Sequence, residues 1–345
     1  MKHINAIFAA VLAAAFFAVN VPVSKLLLQH VEPAMMAAFL YLGAGLGVGL
    51  LSLFNRKGRA QAKRLSREDL PFVLGMIALD IAAPIFLMMG IRAGSSSSAS
   101  LLGNFEIAAT AVIALLVFHE GVSRRLWAAI GLITVSSALL SFEGAQSLRF
   151  SPASLLVLLA AACWGFENNC TRMISGKSTY EIVVLKGIGS GSGSLAIALA
   201  MGEALPAPGA TAAALLLGFA AYGLSIFLYV RAQNVLGAAK TSAYYAAAPF
   251  IGAFLAFVFL REPLSGLYLA ALALMLAGAA LAAADTLVRS HTHPHQHTFT
   301  HTHGGAAHTH TITHVHPHNH CLSDARHGHC HILAELERAP GAGHT

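Results

Sequence analysis

Charge is what this sequence has least of. Asp, Glu, Lys and Arg make up 10% of 345 residues, whereas 56% are apolar and the mean hydropathy is +0.67. A soluble domain carries about 25% charged residues. So small a supply excludes a fold that faces water on all sides. Cysteine is scarce as well, with four in all: Cys163 and Cys170 in an apolar run, Cys321 and Cys330 near the C-terminus. That placement excludes a disulfide framework. Histidine is missing from the interior of the apolar runs. Outside the C-terminal segment it occurs as His3, His30 and His119, all near run ends, which leaves no Ser/His/Asp set for nucleophilic catalysis. A nucleotide-driven pump would need a phosphate loop. Gly176-Lys177-Ser178 imitates the end of one, but the required earlier glycine is Thr171 and no strand precedes it. Neither an enzyme, a required cofactor nor a nucleic-acid partner is expected.

What is present is apolar length. Residues 4–19, 34–54 and 266–284 contain no charge at all. About 20 apolar residues cross the roughly 30 Å of hydrocarbon in a bilayer, and a helix satisfies its own backbone there. The pattern predicts ten transmembrane helices at about 4–28, 34–54, 70–92, 95–118, 124–142, 152–174, 180–201, 210–231, 238–260 and 266–288. The first follows Lys2 and His3 but is too long for a signal-peptide core of about 7–15 residues, so it reads as a retained helix. Lys and Arg set the orientation. With the N-terminus inside, fourteen of them fall on the cytoplasmic side and four (Lys25, Arg92, Arg149, Arg261) outside. Both termini are therefore expected in the cytoplasm, with the chain in the inner cell membrane.

The two halves repeat. Residues 13–18 (AAAFFA) return as 160–165 (AAACWG), and Ser24-Lys25 returns as Thr171-Arg172. Gly43, Gly45, Gly47 and Gly49 return as Gly187, Gly189, Gly191 and Gly193, and Glu120-Gly121-Val122-Ser123 as Glu262-Pro263-Leu264-Ser265. Five helices per copy is an odd number, so the second copy is inverted in the membrane. Inverted repeats of this kind build secondary transporters that bind at the repeat interface. The chain divides into a first repeat at 1–150, a second at 151–288 and a tail at 289–345.

These features resemble the EamA family of the drug/metabolite transporter superfamily: two five-helix halves, Glu120 and Glu262 ending the fourth and ninth spans, and Trp164-Gly165 in the second copy. The resemblance covers residues 1–288 and implies a carrier of small solutes such as metabolites, amino acids or drugs. One departure concerns proline. Pro249 sits in the ninth span as the family has it, but the matching position in the fourth is Ile107.

Ionisable groups at bilayer depth are costly and mark function or a partner. Asp80 in the third span and Glu106 in the fourth read as coupling carboxylates, or as partners of Lys186, the basic residue well inside a span. Glu167 and Asn20 hold equivalent repeat positions and predict a binding site on the pseudo-twofold axis, with Asn169 in the same polar run. Asn104 lies two residues from Glu106, so the two point to nearly opposite sides of their helix and are not expected to line one cavity together. The glycine rows predict close helix packing. Glu120 and Glu262 read as caps at the starts of the helices that follow them.

The tail is another material. Fifteen histidines lie between His291 and His331, mostly as His-X-His with threonine between, and few large apolar residues accompany them. No core can form there, and disorder without a ligand is expected. Imidazole suits zinc, nickel, cobalt or copper. His318, His320, Cys321, His327, His329, Cys330 and His331 form the candidate for a mixed site. The predicted function is permeation of a small polar solute by alternating access. Divalent metal transport, or metal sensing without transport, are the competing readings. No histidine lies deep in a span, which favours the first.

Overall fold

A computed structural model describes residues 2–54, 64–118, 123–141, 151–174, 177–236, 244–262, 265–286, 288–303 and 306–321. The helices are α1 (Lys2–Ala18), α2 (Asn20–Leu27), α3 (Pro33–Phe54), α4 (Leu70–Ala93), α5 (Ser96–Leu102), α6 (Phe105–Phe118) and α7 (Arg124–Leu140). The second half adds α8 (Pro152–Ile174), α9 (Thr179–Ala200), α10 (Pro208–Gly218), α11 (Ser225–Leu236), α12 (Ala248–Leu260) and α13 (Gly266–Thr286). Eight helical stretches among the described residues are long and apolar enough to cross a membrane. In the places of the fifth and ninth expected spans stand α7, at 17 residues, and α12, at 13.

Local sequence explains the helix ends. Proline opens α3, α8 and α10 at the first turn, where its missing N–H costs nothing. The Ser123 hydroxyl accepts the Leu126 N–H at 3.0 Å to cap α7. Burial is the reverse of a soluble protein's. Phe8, Leu116 and Phe259 stand about two-thirds exposed at the periphery, whereas Asn20 and Asp80 are fully buried.

The packing repeats with the sequence. α3 packs on its repeat equivalent α9, and α5 of the fourth span packs on α12 of the equivalent ninth span. The pair α4 and α8 is matched by the third and sixth spans' equivalents, the eighth and first, in the contact of α11 with α1. Likewise α6 on α8 is matched by α12 on α1. Exchanging the halves therefore leaves the pattern unchanged. Glycine makes the α3–α9 contact possible: a Cβ on Gly45 would come within 2.7 Å of the Ile188 backbone nitrogen.

Three spans are broken near mid-membrane. The first breaks at Val19, between α1 and α2. The fourth breaks at Gly103-Asn104 without any proline, and the ninth at Ala246-Ala247, the repeat-equivalent place just before Pro249. Within the eighth, one π turn spans Phe219–Leu224. Non-helical backbone at this depth is tolerated where it is buried in protein or lines a cavity.

Glu262 does not cap the helix that follows it. Its carboxylate accepts the N–H groups of Ser96 and Ser97 at 2.7 and 2.8 Å, at the start of α5 in the other repeat. The dipole argument holds, but the helix served is the nearest in space. Glu203 does the same for α3, accepting from Ala34 and Met35. Glu120 lies outside the described residues.

Residues 286–345 form a compact unit of their own. Disorder was the expectation; instead β1 (Val288–His303) and β2 (Ala306–Cys321) pair as an antiparallel hairpin. Alternating threonine gives the strands their β-branched period-two pattern.

Candidate functional site

The three breaks converge on one cavity of about 110 Å³. Phe17, Ala18, Asn20 and Val21 line it from the first span, and Ser100, Gly103, Asn104, Glu106 and Ile107 from the fourth. Tyr245, Ala246, Pro249 and Gly252 line it from the ninth, and Trp164 from α8. Asn104 and Glu106 thus share one cavity, against the expectation of opposite faces. The break at Gly103-Asn104 removes the helical register on which that expectation rested.

Glu106 takes an amide as its partner: Asn168 Nδ2 donates to Oε1 at 2.6 Å. Among the described residues it makes no ion pair. Asn20 donates to the Tyr222 hydroxyl at 3.1 Å and accepts from Ser24 at 3.1 Å. The amide nitrogen of Asn104 and the hydroxyl of Ser100 are buried without a hydrogen-bond partner among the described residues. An unpaired buried polar group costs about 1–3 kcal/mol, so both carry an unmet hydrogen-bonding demand at the cavity wall.

A second polar group lies beside the cavity. Lys186 Nζ sits 2.9 Å from Glu167 Oε1 and 3.2 Å from Asp80 Oδ2. Thr171 also donates to Glu167. The Tyr41 hydroxyl donates to Asp80 Oδ1 at 2.8 Å and receives the Trp164 indole N–H at 3.3 Å. Trp164 therefore touches the cavity with its ring and the ionic group through Tyr41. With both carboxylates ionised the group has a formal charge of −1, and one proton neutralises it.

The sequence-predicted residues fall into three sets. Asn20 and Glu106 line the cavity. Asp80, Glu167 and Lys186 form the ionic group, and among the described residues no hydrogen bond joins Glu167 to its repeat equivalent Asn20. Asn169 does neither: its amide donates to the Thr110 and Gly165 carbonyls at 3.1 and 2.9 Å and ties α8 to α6. There a Cβ on Gly165 would lie 2.8 Å from the Thr110 nitrogen, so the two helices touch backbone to backbone. Sequence reasoning missed Tyr41, Tyr222, Tyr245 and Ser100. A tyrosine inside an apolar span was the available signal, because a buried phenol needs a partner. Of the metal candidates, His318, His320 and Cys321 lie in β2; His327, His329, Cys330 and His331 lie outside the described residues.

The EamA-like transporter family matches residues 4–142 and 151–284, once per repeat. A protein of Methanothermobacter thermautotrophicus described as an uncharacterized transporter is 25% identical over 289 residues, spanning 77% of this chain and 82% of its own length. A crystal structure with 17% identity shares the fold at a TM-score of 0.57, over 81% of this chain and 96% of that one.

Proposed function

This chain belongs to the EamA-like transporter family, and from that premise we propose that it is a secondary permease, not an enzyme, moving a small polar solute by alternating access. The observation that carries the reading is the cavity at the three helix breaks, where Glu106 offers an acceptor and Asn104 and Ser100 are unpartnered. The aromatic rings of Phe17, Trp164 and Tyr245 suit an apolar body, and Glu106 with Asn104 suits a head bearing both a donor and an acceptor. The ionic group is the coupling site. A proton there changes the charge on Asp80, and Tyr41 and Trp164 carry the change to the cavity wall. Metal as cargo fits less well, because Asp80 and Glu167 are already held by the Lys186 ammonium. The chain sits in the inner cell membrane with both termini in the cytoplasm, as the lysine and arginine bias requires. A reporter fused after residue 290, or inserted near Ala60, reads cytoplasmic; a periplasmic signal removes the orientation. The histidine-rich tail binds divalent metal as a regulatory or buffering element.

The test is uptake into proteoliposomes under an imposed proton gradient, with a panel of amines, amino acids and other small polar solutes, plus zinc, nickel and cobalt. Uptake of an organic solute that Glu106→Gln lowers about tenfold or more supports the proposal. Flux of metal alone sinks it.

A further inference from the structure

The cavity at the three helix breaks has a charge balance that selects the sign of its guest. Among the described residues Glu106 is the one carboxylate in its wall, and no lysine, arginine or histidine lines it. Lys186, in the ionic group beside it, is already shared between Asp80 and Glu167. The aromatic wall offers no free donor to offset Glu106. Trp164 gives its indole N–H to the Tyr41 hydroxyl at 3.3 Å. The Ser225 hydroxyl donates to the Ala13 carbonyl at 2.9 Å, so in its 3.1 Å contact with Tyr245 the phenol is the donor. Both residues therefore bring their rings to the cavity with their N–H and O–H groups engaged elsewhere. The Phe17 ring lies beside them, its centroid 5.8 Å from that of Tyr245. What the polar side retains is the Glu106 carboxylate, the Asn104 amide and the Ser100 hydroxyl, the last two buried without a partner among the described residues.

We propose that the solute is an organic monocation: a protonated amine that also carries one uncharged oxygen, as an amino alcohol does. This rests on the reading of the cavity as a permease's binding site and names the class it takes. The ammonium donates to the ionised Glu106 and cancels its charge. The oxygen accepts from Asn104 Nδ2, and the apolar body meets Phe17, Trp164 and Tyr245. Aromatic rings attract a cation through their quadrupole, so the same wall adds to the preference. An amino acid brings the same ammonium, but its carboxylate leaves a net charge buried beside Glu106 with no cation to pair it. An uncompensated buried charge is strongly disfavoured. A hydroxy acid is worse placed, because it sets a second carboxylate against Glu106 and like charges at one site repel. The order of binding follows from head charge: cation, then zwitterion, then anion.

Three probes with one isobutyl body separate head charge from size: leucinol, leucine and 2-hydroxy-4-methylpentanoate. The chain has two tryptophans, and Trp127→Phe, at an exposed position of α7, leaves Trp164 in the cavity wall as the sole reporter. The full-length protein in detergent is titrated with each probe near neutral pH while Trp164 emission is followed. Leucinol should bind about tenfold or more tightly than leucine, the range of a hydrogen bond to a charged group, and the hydroxy acid should bind most weakly. Glu106→Gln, whose carbonyl still accepts from Asn168, should erase that order, and Glu106→Asp, which keeps the charge, should retain it. If Glu106→Gln fails to fold, the order in the parent decides by itself. Leucine or the hydroxy acid binding as tightly as leucinol, no binding of leucinol, or an order unchanged by Glu106→Gln overturns the cation assignment. Binding in the expected order without uptake into proteoliposomes leaves that assignment standing and overturns the permease reading instead.

Discussion

Two polar groups lie side by side inside this protein and differ in how completely they are satisfied. Lys186, Asp80 and Glu167 close on one another, and Tyr41 and Thr171 supply further bonds. Around the cavity, Glu106 has one amide partner, while Asn104 and Ser100 have none among the described residues. Buried polar groups that are satisfied hold a structure together; those left open are affordable only where something else will fill them. The ionic group is therefore read as framework and proton store, and the cavity as the place of exchange.

The comparison is broken most directly at Lys186. Lys186→Met removes the ammonium and leaves Asp80 and Glu167 as buried carboxylates without their cation. Loss of one partner from a buried ion pair costs about 3–5 kcal/mol. The variant should melt well below the parent in detergent or fail to accumulate in the membrane. Adding Asp80→Asn and Glu167→Gln together should restore much of that stability without restoring coupled transport. A Lys186→Met chain as stable as the parent would show that the group is not framework.

Glu106→Gln is the next largest effect, and it falls on a different quantity. The glutamine carbonyl still accepts from Asn168, so the folded protein should be as stable as the parent. A hydrogen bond to a charged group is worth about 1.5–3 kcal/mol, so uptake should fall about tenfold or more. Initial-rate measurements across a pH series sharpen the contrast with Glu167→Gln. There the pH dependence itself should change, because the charge count around Lys186 changes.

Asn104→Ala separates the two regions by the sign of its effect. Deleting a side chain from the satisfied group costs stability, whereas deleting the unpartnered amide removes a desolvation penalty. The melting temperature should hold or rise. Transport affinity should weaken by about fivefold, the equivalent of about 1 kcal/mol for one lost hydrogen bond to the solute. A fall in stability with unchanged affinity would return Asn104 to the framework.

How much of this could be read from sequence follows the same division. Ionisable residues in spans are so costly that Asp80, Glu106, Glu167 and Lys186 stand out in an apolar chain; Asp80 and Glu167 are buried, Glu106 lines the cavity and Lys186 pairs with the two buried carboxylates. Their partners were less legible. Repeat position joined Glu167 to Asn20, yet the ammonium of Lys186 in the adjacent helix is the stronger attraction. Helical periodicity separated Asn104 from Glu106 because nothing in Gly103-Asn104 announces a break as firmly as Pro249 does in the ninth span. Glu262 was assigned to the nearest helix in sequence, and its carboxylate serves α5 across the repeat interface. In the tail, the His-Thr alternation was read as composition when it was also a strand period.

The smallest expected effect belongs to Asn169. Its position beside Glu167 and Asn168 suggested a binding role, but its amide spans from α8 to the Thr110 carbonyl of α6 and back to Gly165 in its own helix. Interhelical bonds of this kind average about 0.6 kcal/mol in membranes. Asn169→Ala also leaves the Gly165 contact intact, and that contact fixes the distance between the two helices. The melting temperature should therefore drop only slightly, and transport affinity, rate and pH dependence should match the parent. Asn168→Ala is the matched control, because that neighbour bonds Glu106 and should alter uptake at similar stability. If Asn169→Ala lowers uptake as far as Asn168→Ala does, the cavity reaches past Glu106 to Thr110, and the boundary between framework and exchange site lies one residue further along α8.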